Sequence, residues 1–268
     1  MATLALGWMR DLPDPRDKQF TPALAQLPKL PLKVDLRPNA PPPYDQGHLN
    51  SCTANAIAGA LQINEIKSGN ASSWTPSRLF VYYNERVIEN TVNSDPGAQI
   101  RDGIKVVHKQ GVCPEADWPY NTAEYAVKPP ANAYSDAAKD LVSLYLRLQQ
   151  SSLHLRACLA EGYPFVFGIS VFSSFESPQV ASTGRVPLPP HGDSFVGGHA
   201  ICAVGYDDTT QQFTFRNSWG AAWGDSGYGY LPYAYVLDSG LASDFWTMRS
   251  TPDVQQYPDS SGGKLAAA

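Results

Sequence analysis

Charge is scarce in this chain. Only 17% of its 268 residues are Asp, Glu, Lys or Arg, against roughly a quarter in ordinary soluble chains. The net charge is −5 and no basic run occurs, which argues against nucleic acid or an anionic membrane as the main partner. Long hydrophobic runs are also missing. The longest, about Phe165 to Phe172, is far too short for a bilayer, which takes roughly 20 residues. Cysteine is limited to Cys52, Cys113, Cys158 and Cys202, with no CxxC pair. That spacing excludes a metal knuckle and a dense disulfide framework, while a single Cys113–Cys158 bridge stays open. The opening MATLALGWMR lacks a basic start and a long apolar stretch, so it reads as a poor secretory signal and leaves the compartment open. No GKS/T follows the glycines around Gly197, Gly198, Gly220, Gly224, Gly227 and Gly229. They are strand-turn positions and not a phosphate loop.

Apolar residues make up 43% of the chain, ample for a core, and proline is plentiful. Nine of the 23 prolines fall within the first 43 residues. Each fixes φ and pushes its predecessor out of helical space, so residues 1–33 read as an extended arm. Trp8, Phe20 and several leucines in it favour docking on the main body, because disordered tails are poor in such residues. The last residues, Lys264 to Ala268 after a Ser-Gly-Gly spacer, read as a vector scar in a tail over 251–268.

Helical spacing appears first at Cys52–Lys67, with Ser51 as N-cap and Gly69 as stop. A second helix is predicted from Thr75-Pro76 to Glu89, with proline at its first position. A third covers Ala98–Lys109 and a shorter fourth Ser152–Glu161. The period then changes to two: Leu144, Leu146 and Leu148 alternate with polar residues. Phe165–Phe172, His199–Gly205, Gln212–Asn217, Tyr228–Pro232 and Phe245–Arg249 are further strands. Helices before strands indicate an α+β fold: a helical lobe at 34–130, a β lobe at 131–250, and a cleft between them suited to a site.

Cys52 stands at the extreme start of its helix, where free N–H groups and the dipole favour a thiolate. A thiolate nucleophile needs an imidazole partner and a group to orient it. His199 and Asn217 lie 147 and 165 residues downstream on successive strands, which usually pair. Gln46, six residues before Cys52, can aim a side-chain amide at a developing oxyanion, with the Cys52 N–H as second donor.

These segments resemble the papain-like cysteine peptidases. Gln46-Gly47-x-x-x-Ser51-Cys52 is similar to the nucleophile segment, and Gly198 to Tyr206 (GHAICAVGY) to the histidine strand. Arg216 to Tyr228 (RNSWGAAWGDSGY) is similar to the asparagine segment, Gly111 to Tyr120 (GVCPEADWPY) to the lead into the lobe crossing, and Val34 to Arg37 to a mature N-terminus. The motifs keep the family's order from 34 to about 250, and the proline-rich arm with SCTANA resembles its bacterial branch.

The resemblance implies a two-lobe fold and a peptidase needing no metal or organic cofactor. It implies Cys52 as nucleophile, His199 as its acid/base partner, Asn217 as orienter of the His199 ring, and Gln46 in the oxyanion hole. Trp219 would shield the Asn217–His199 hydrogen bond. Gly97 and Ala98 would bind substrate backbone. Ile100 would lie near the pocket for the second residue before the scissile bond, and Gly198 would contact substrate. The chain departs from the family at Leu49, where a disulfide cysteine is usual, at Thr53, where an aromatic is usual, and in lacking a long helical prosegment. A peptide or protein substrate is the implied partner, the arm is expected near the cleft where it limits access, and a monomer is the default. Two other uses of the same residues stay open: acyl transfer to an amine, and binding on a retired peptidase scaffold.

Other candidates have plainer readings. Cys202 lies in an apolar strand and reads as core. His191 and His48 read as surface loop residues, and Asp193 and Asp225 as solvated loop carboxylates. His108 and His154 have no carboxylate at ligand spacing, so no metal site is expected.

Overall fold

A computed structural model describes residues 5–22, 29–69 and 74–249 of the chain; the expected tail with its vector scar lies outside them. In chain order the elements are β1 (Trp8–Met9), β2 (Lys33–Asp35), α1 (Cys52–Lys67), α2 (Arg78–Glu89), β3 (Ala98–Gln99) and α3 (Ile100–Lys109). Then follow α4 (Ala131–Ala137), β4 (Leu144–Arg147), α5 (Ser152–Ala160), β5 (Phe165–Phe172), α6 (Pro178–Thr183) and β6 (Phe195–Asp207). The chain closes with β7 (Gln212–Arg216), β8 (Tyr228–Pro232), α7 (Tyr233–Val236) and β9 (Ala242–Arg249). The class is α+β, as expected.

The sheet is antiparallel throughout, in the order β4-β9-β5-β6-β7-β8, with β2 added beside β6. Its central strand β5 is the apolar run FVFGISVF, buried on both faces. The period of two sorts its side chains. Phe165, Phe167, Ile169 and Val171 enter one apolar cluster with Ile201, Ala203 and Phe213. Val166 enters a second with Ala200, Cys202, Val204 and the helices α1 to α3. The sheet thus has a core on each side.

Helix α1 is buried from Cys52 through Asn64, the pattern of a central helix with no solvent face. Alanine and glycine let other elements approach: a Cβ on Gly59 would lie 2.8 Å from Arg216 Nη1. Helix α2 begins later than the Thr75-Pro76 signal. Ser77 is its N-cap, accepting from the Phe80 N–H at 3.2 Å and donating to the Trp118 carbonyl at 2.7 Å. Replacing Ser77 by alanine is expected to cost about 1 kcal/mol, read as a lower urea midpoint with unchanged slope.

The third predicted helix is also shortened. Ala98 and Gln99 are not helical; they form β3, a parallel partner of β1 in the arm. Helix α4 carried no clear period in the sequence. All four cysteines are free, so the Cys113–Cys158 bridge is absent. No described helix is long and apolar enough to cross a membrane.

Candidate active site

Cys52 opens α1 and is fully buried. Ser51 occupies the N-cap position but does not cap: its hydroxyl pairs with Tyr120 Oη at 2.5 Å and accepts from Asn55 Nδ2 at 3.0 Å. The Ser51 hydroxyl thus claims none of the first-turn N–H groups, at the positive end of the helix dipole.

His199 lies on β6 opposite Ile169 of β5. Strand β7 runs back along β6 with Cys202 opposite Arg216, so the next residue, Asn217, is carried toward His199. The ring Nε2 pairs with Asn217 Oδ1 at 2.8 Å, and Nδ1 has no hydrogen-bond partner. The Trp219 ring stacks on the imidazole at 4.6 Å between centroids and 24° between planes. Trp223 and Phe175 meet Trp219 edge-on, closing that side to water.

Gln46 is held firmly. Its N–H donates to the Ser218 carbonyl at 2.9 Å, and its Oε1 accepts from Ser218 Oγ at 2.5 Å. The Nε2 group donates to the Leu49 carbonyl at 2.9 Å and to the Ala5 carbonyl of the arm at 3.2 Å. Ser218 was not singled out in the sequence, although it sits inside the asparagine segment. Thr53 donates to the buried Glu85 carboxyl at 2.9 Å.

The remaining predicted site residues gather around the arm. The Ala98 N–H donates to the Gly7 carbonyl at 2.8 Å. Gly97 has φ +91°, and a Cβ there would lie 1.8 Å from that same carbonyl oxygen. Gly198 faces Trp8, and Ile100 is buried in the same apolar cluster as Trp8. The arm reaches Arg147 by backbone hydrogen bonds from Phe20 and to Lys18, each 2.8 Å.

One sequence expectation is reversed here. The helix N-terminus should lower the Cys52 thiol pKa, yet it is pushed up to about 12. Burial is the largest cause, outweighing the amides of Ala200, Gly7 and Thr53. Burial likewise lowers His199 to about 4, with Asn217 opposing. Under the arm both side chains are closed to solvent, which favours a neutral thiol and imidazole over the ion pair. His48 and His191 are exposed, as expected, and His108 and His154 bond Val142 and Ser151. Among the described residues no cluster of metal ligands occurs.

Residues 30–245 match the papain family cysteine protease domain. A peptidase C1-like protein of Acanthamoeba polyphaga mimivirus is 45% identical over 229 residues, 82% of this chain and 74% of that protein. Cysteine proteinase 2 of Entamoeba histolytica is 28% identical over 196 residues, 70% of this chain and 58% of its own length. The crystal structure of xylellain, a cysteine protease from Xylella fastidiosa, superposes with a TM-score of 0.86 at 45% identity, covering 92% of this chain and 96% of that one.

Proposed function

The chain belongs to the papain family of cysteine proteases, and from that premise we propose that it hydrolyses peptide bonds through Cys52, His199, Asn217 and Gln46, and that its arm keeps this site latent. With the arm displaced, the Cys52 thiol gives its proton to His199 and the thiolate attacks a substrate carbonyl. The oxyanion is stabilised by the Gln46 side-chain amide and the Cys52 N–H. His199 protonates the departing amine, a thioester forms, and water activated by His199 releases the acid. Asn217 holds the imidazole ring, and Trp219 keeps water from that hydrogen bond.

The observation that carries this reading is the peptide already lying in the site. The Ala5 carbonyl accepts from Gln46 Nε2 at 3.2 Å, and the Gly7 carbonyl accepts from the Ala98 N–H at 2.8 Å. These are the donors assigned to oxyanion and substrate backbone. In a substrate, the residue entering the second pocket precedes the scissile carbonyl. In the arm, Trp8 follows Ala5, so the arm runs the opposite way. A reversed peptide occupies the donors without offering its carbonyl in the cleavable order, which supports latency over self-cleavage.

The test is cleavage of a mixed peptide library by the reduced full chain, read by mass spectrometry with and without a thiol-directed epoxide. Products that vanish on blocking, together with an epoxide adduct on the Cys52 peptide, are expected. Cleavage that persists after complete labelling of Cys52 overturns the assignment.

A further inference from the structure

Trp8 is buried, and what it rests on is glycine. A Cβ built on Gly168 would lie 1.9 Å from the indole Cε2, 2.3 Å from Cδ2 and 2.3 Å from Cζ2. Cδ2 and Cε2 are the two atoms that the fused rings share, and Cζ2 belongs to the six-membered ring, so the strand backbone lies against the ring junction of the indole. A Cβ on Gly198 would lie 2.9 Å from Cε3 and 2.3 Å from the Trp8 carbonyl oxygen. Neither glycine sits at a positive φ, so the backbone does not demand glycine at either place. Gly168 lies inside β5, whose neighbours are Phe167 and Ile169. Glycine in a strand interior weakens the strand and often marks the close approach of a ligand or another chain. Here the missing side chain gives its space to a bicyclic ring.

The pocket contacts are those of shape. The Trp8 indole N–H is buried without a hydrogen-bond partner, and such a group pays for desolvation without return. The glycine walls belong to β5 and β6, so they stand there whichever way a peptide runs past them.

Resting on the peptidase reading above, we propose that Gly168 is a specificity-determining residue. It opens the pocket for the second residue before the scissile bond to a bicyclic aromatic side chain, tryptophan among natural residues. Recognition is by volume, so 2-naphthylalanine, which lacks the indole N–H, serves at least as well as tryptophan.

The experiment uses the full chain and a series of peptides identical except at that second position, which carries Trp, 2-naphthylalanine, Phe, Leu or Val. Every peptide meets the same open fraction of enzyme, so ratios of kcat/KM are independent of the arm. Trp is expected to exceed Leu and Val at least tenfold, with 2-naphthylalanine equal to or above Trp. Gly168→Val is expected to lower kcat/KM for Trp and 2-naphthylalanine at least thirtyfold relative to Val, reversing the order. Gly168→Ala, a smaller intrusion, gives the same trend, and stoichiometric epoxide labelling of Cys52 certifies that each variant is folded. Cleavage without preference for the bicyclic residues, or a Gly168→Val variant that retains the wild-type order, overturns the inference alone. Failure to cleave any member of the series by a wild-type chain whose Cys52 does take the epoxide overturns the peptidase reading together with it.

Discussion

Replacing Gly7 by valine is expected to raise the rate at which a thiol-directed epoxide alkylates Cys52 by about a hundredfold. The expectation follows from how the arm is seated. A Cβ on Gly7 would lie 1.9 Å from the Asn50 carbonyl oxygen, and the Gly7 carbonyl itself lies 1.8 Å from where a Gly97 Cβ would be. The arm backbone is gripped between two other backbones, and neither can yield as a flexible side chain would. Overpacking of this kind costs roughly 1–3 kcal/mol. The displacement also loosens Trp8, whose full removal from a core costs roughly 3–5 kcal/mol. About 3 kcal/mol between them shifts a closed-to-open equilibrium roughly a hundredfold. The substitution adds atoms only to the arm, so the catalytic group is unaltered in composition. The measurement is the second-order rate of adduct formation for wild type and variant at one pH. Thermal denaturation should show the main body intact, because Phe20 and Asp17 still anchor the rest of the arm. A folded Gly7→Val chain that alkylates at the wild-type rate would mean that the arm does not control access.

Much of this site was legible because its residues sit in unbroken local motifs. The asparagine segment from Arg216 to Tyr228 and the histidine strand needed no partner to be read. Strand β5 was legible because a run buried on both faces is apolar at nearly every position. The errors arose where distant segments decide local structure. Ala98 and Gln99 continue a helical pattern in the sequence, yet they pair with Trp8 and Met9 from the arm. Pro76 looks like a first-turn proline, but Ser77 supplies the hydroxyl that caps α2. The thiol of Cys52 was expected to be acidic from its helix position. Its burial under the arm decides otherwise, and burial by a distant segment leaves no trace in the residues beside Cys52. Ser218 gives no local signal because its role, holding the Gln46 backbone N–H and side-chain oxygen, depends on chain segments 172 residues apart.

Protection of Cys52 by the arm is expected to be strongest near pH 4 and to weaken as the pH rises toward 6. The cause is the set of charges that docking buries. Asp11 and Asp17 come from the arm, and Asp244, Arg101 and Arg147 from the body. Asp17 takes both guanidiniums, Arg101 at 2.6 Å and Arg147 at 3.0 Å, while Arg147 also reaches Asp244 at 3.1 Å. Asp11 is left with hydrogen bonds alone, from the Arg101 N–H at 3.1 Å and Trp246 Nε1 at 2.8 Å. Its own N–H donates to the Asp244 carboxyl at 2.8 Å, keeping the two acids close. Three carboxyls thus share two guanidiniums, and one is better off protonated. Burial, and then the charge of Asp244, raise Asp11 from 3.8 to about 6, and Asp244 is raised as well, chiefly by burial. A carboxyl whose pKa is raised on docking binds a proton as the arm seats. Its favourable contribution is complete below the released value, declines as the pH climbs through the docked value, and is gone above it. For Asp11 the window runs from 3.8 to about 6, and the difference corresponds to roughly a hundredfold in docking, about 3 kcal/mol. The readout is the ratio of Cys52 alkylation rates in Gly7→Val and wild type from pH 4 to pH 8, which cancels the titration of the thiol itself. That ratio should fall by tenfold or more as the pH rises. In Asp11→Asn, which is neutral at every pH, the profile should be flat. A ratio that rises with pH, or a slope that survives in Asp11→Asn, would place the proton on another group and remove Asp11 from the control of the arm.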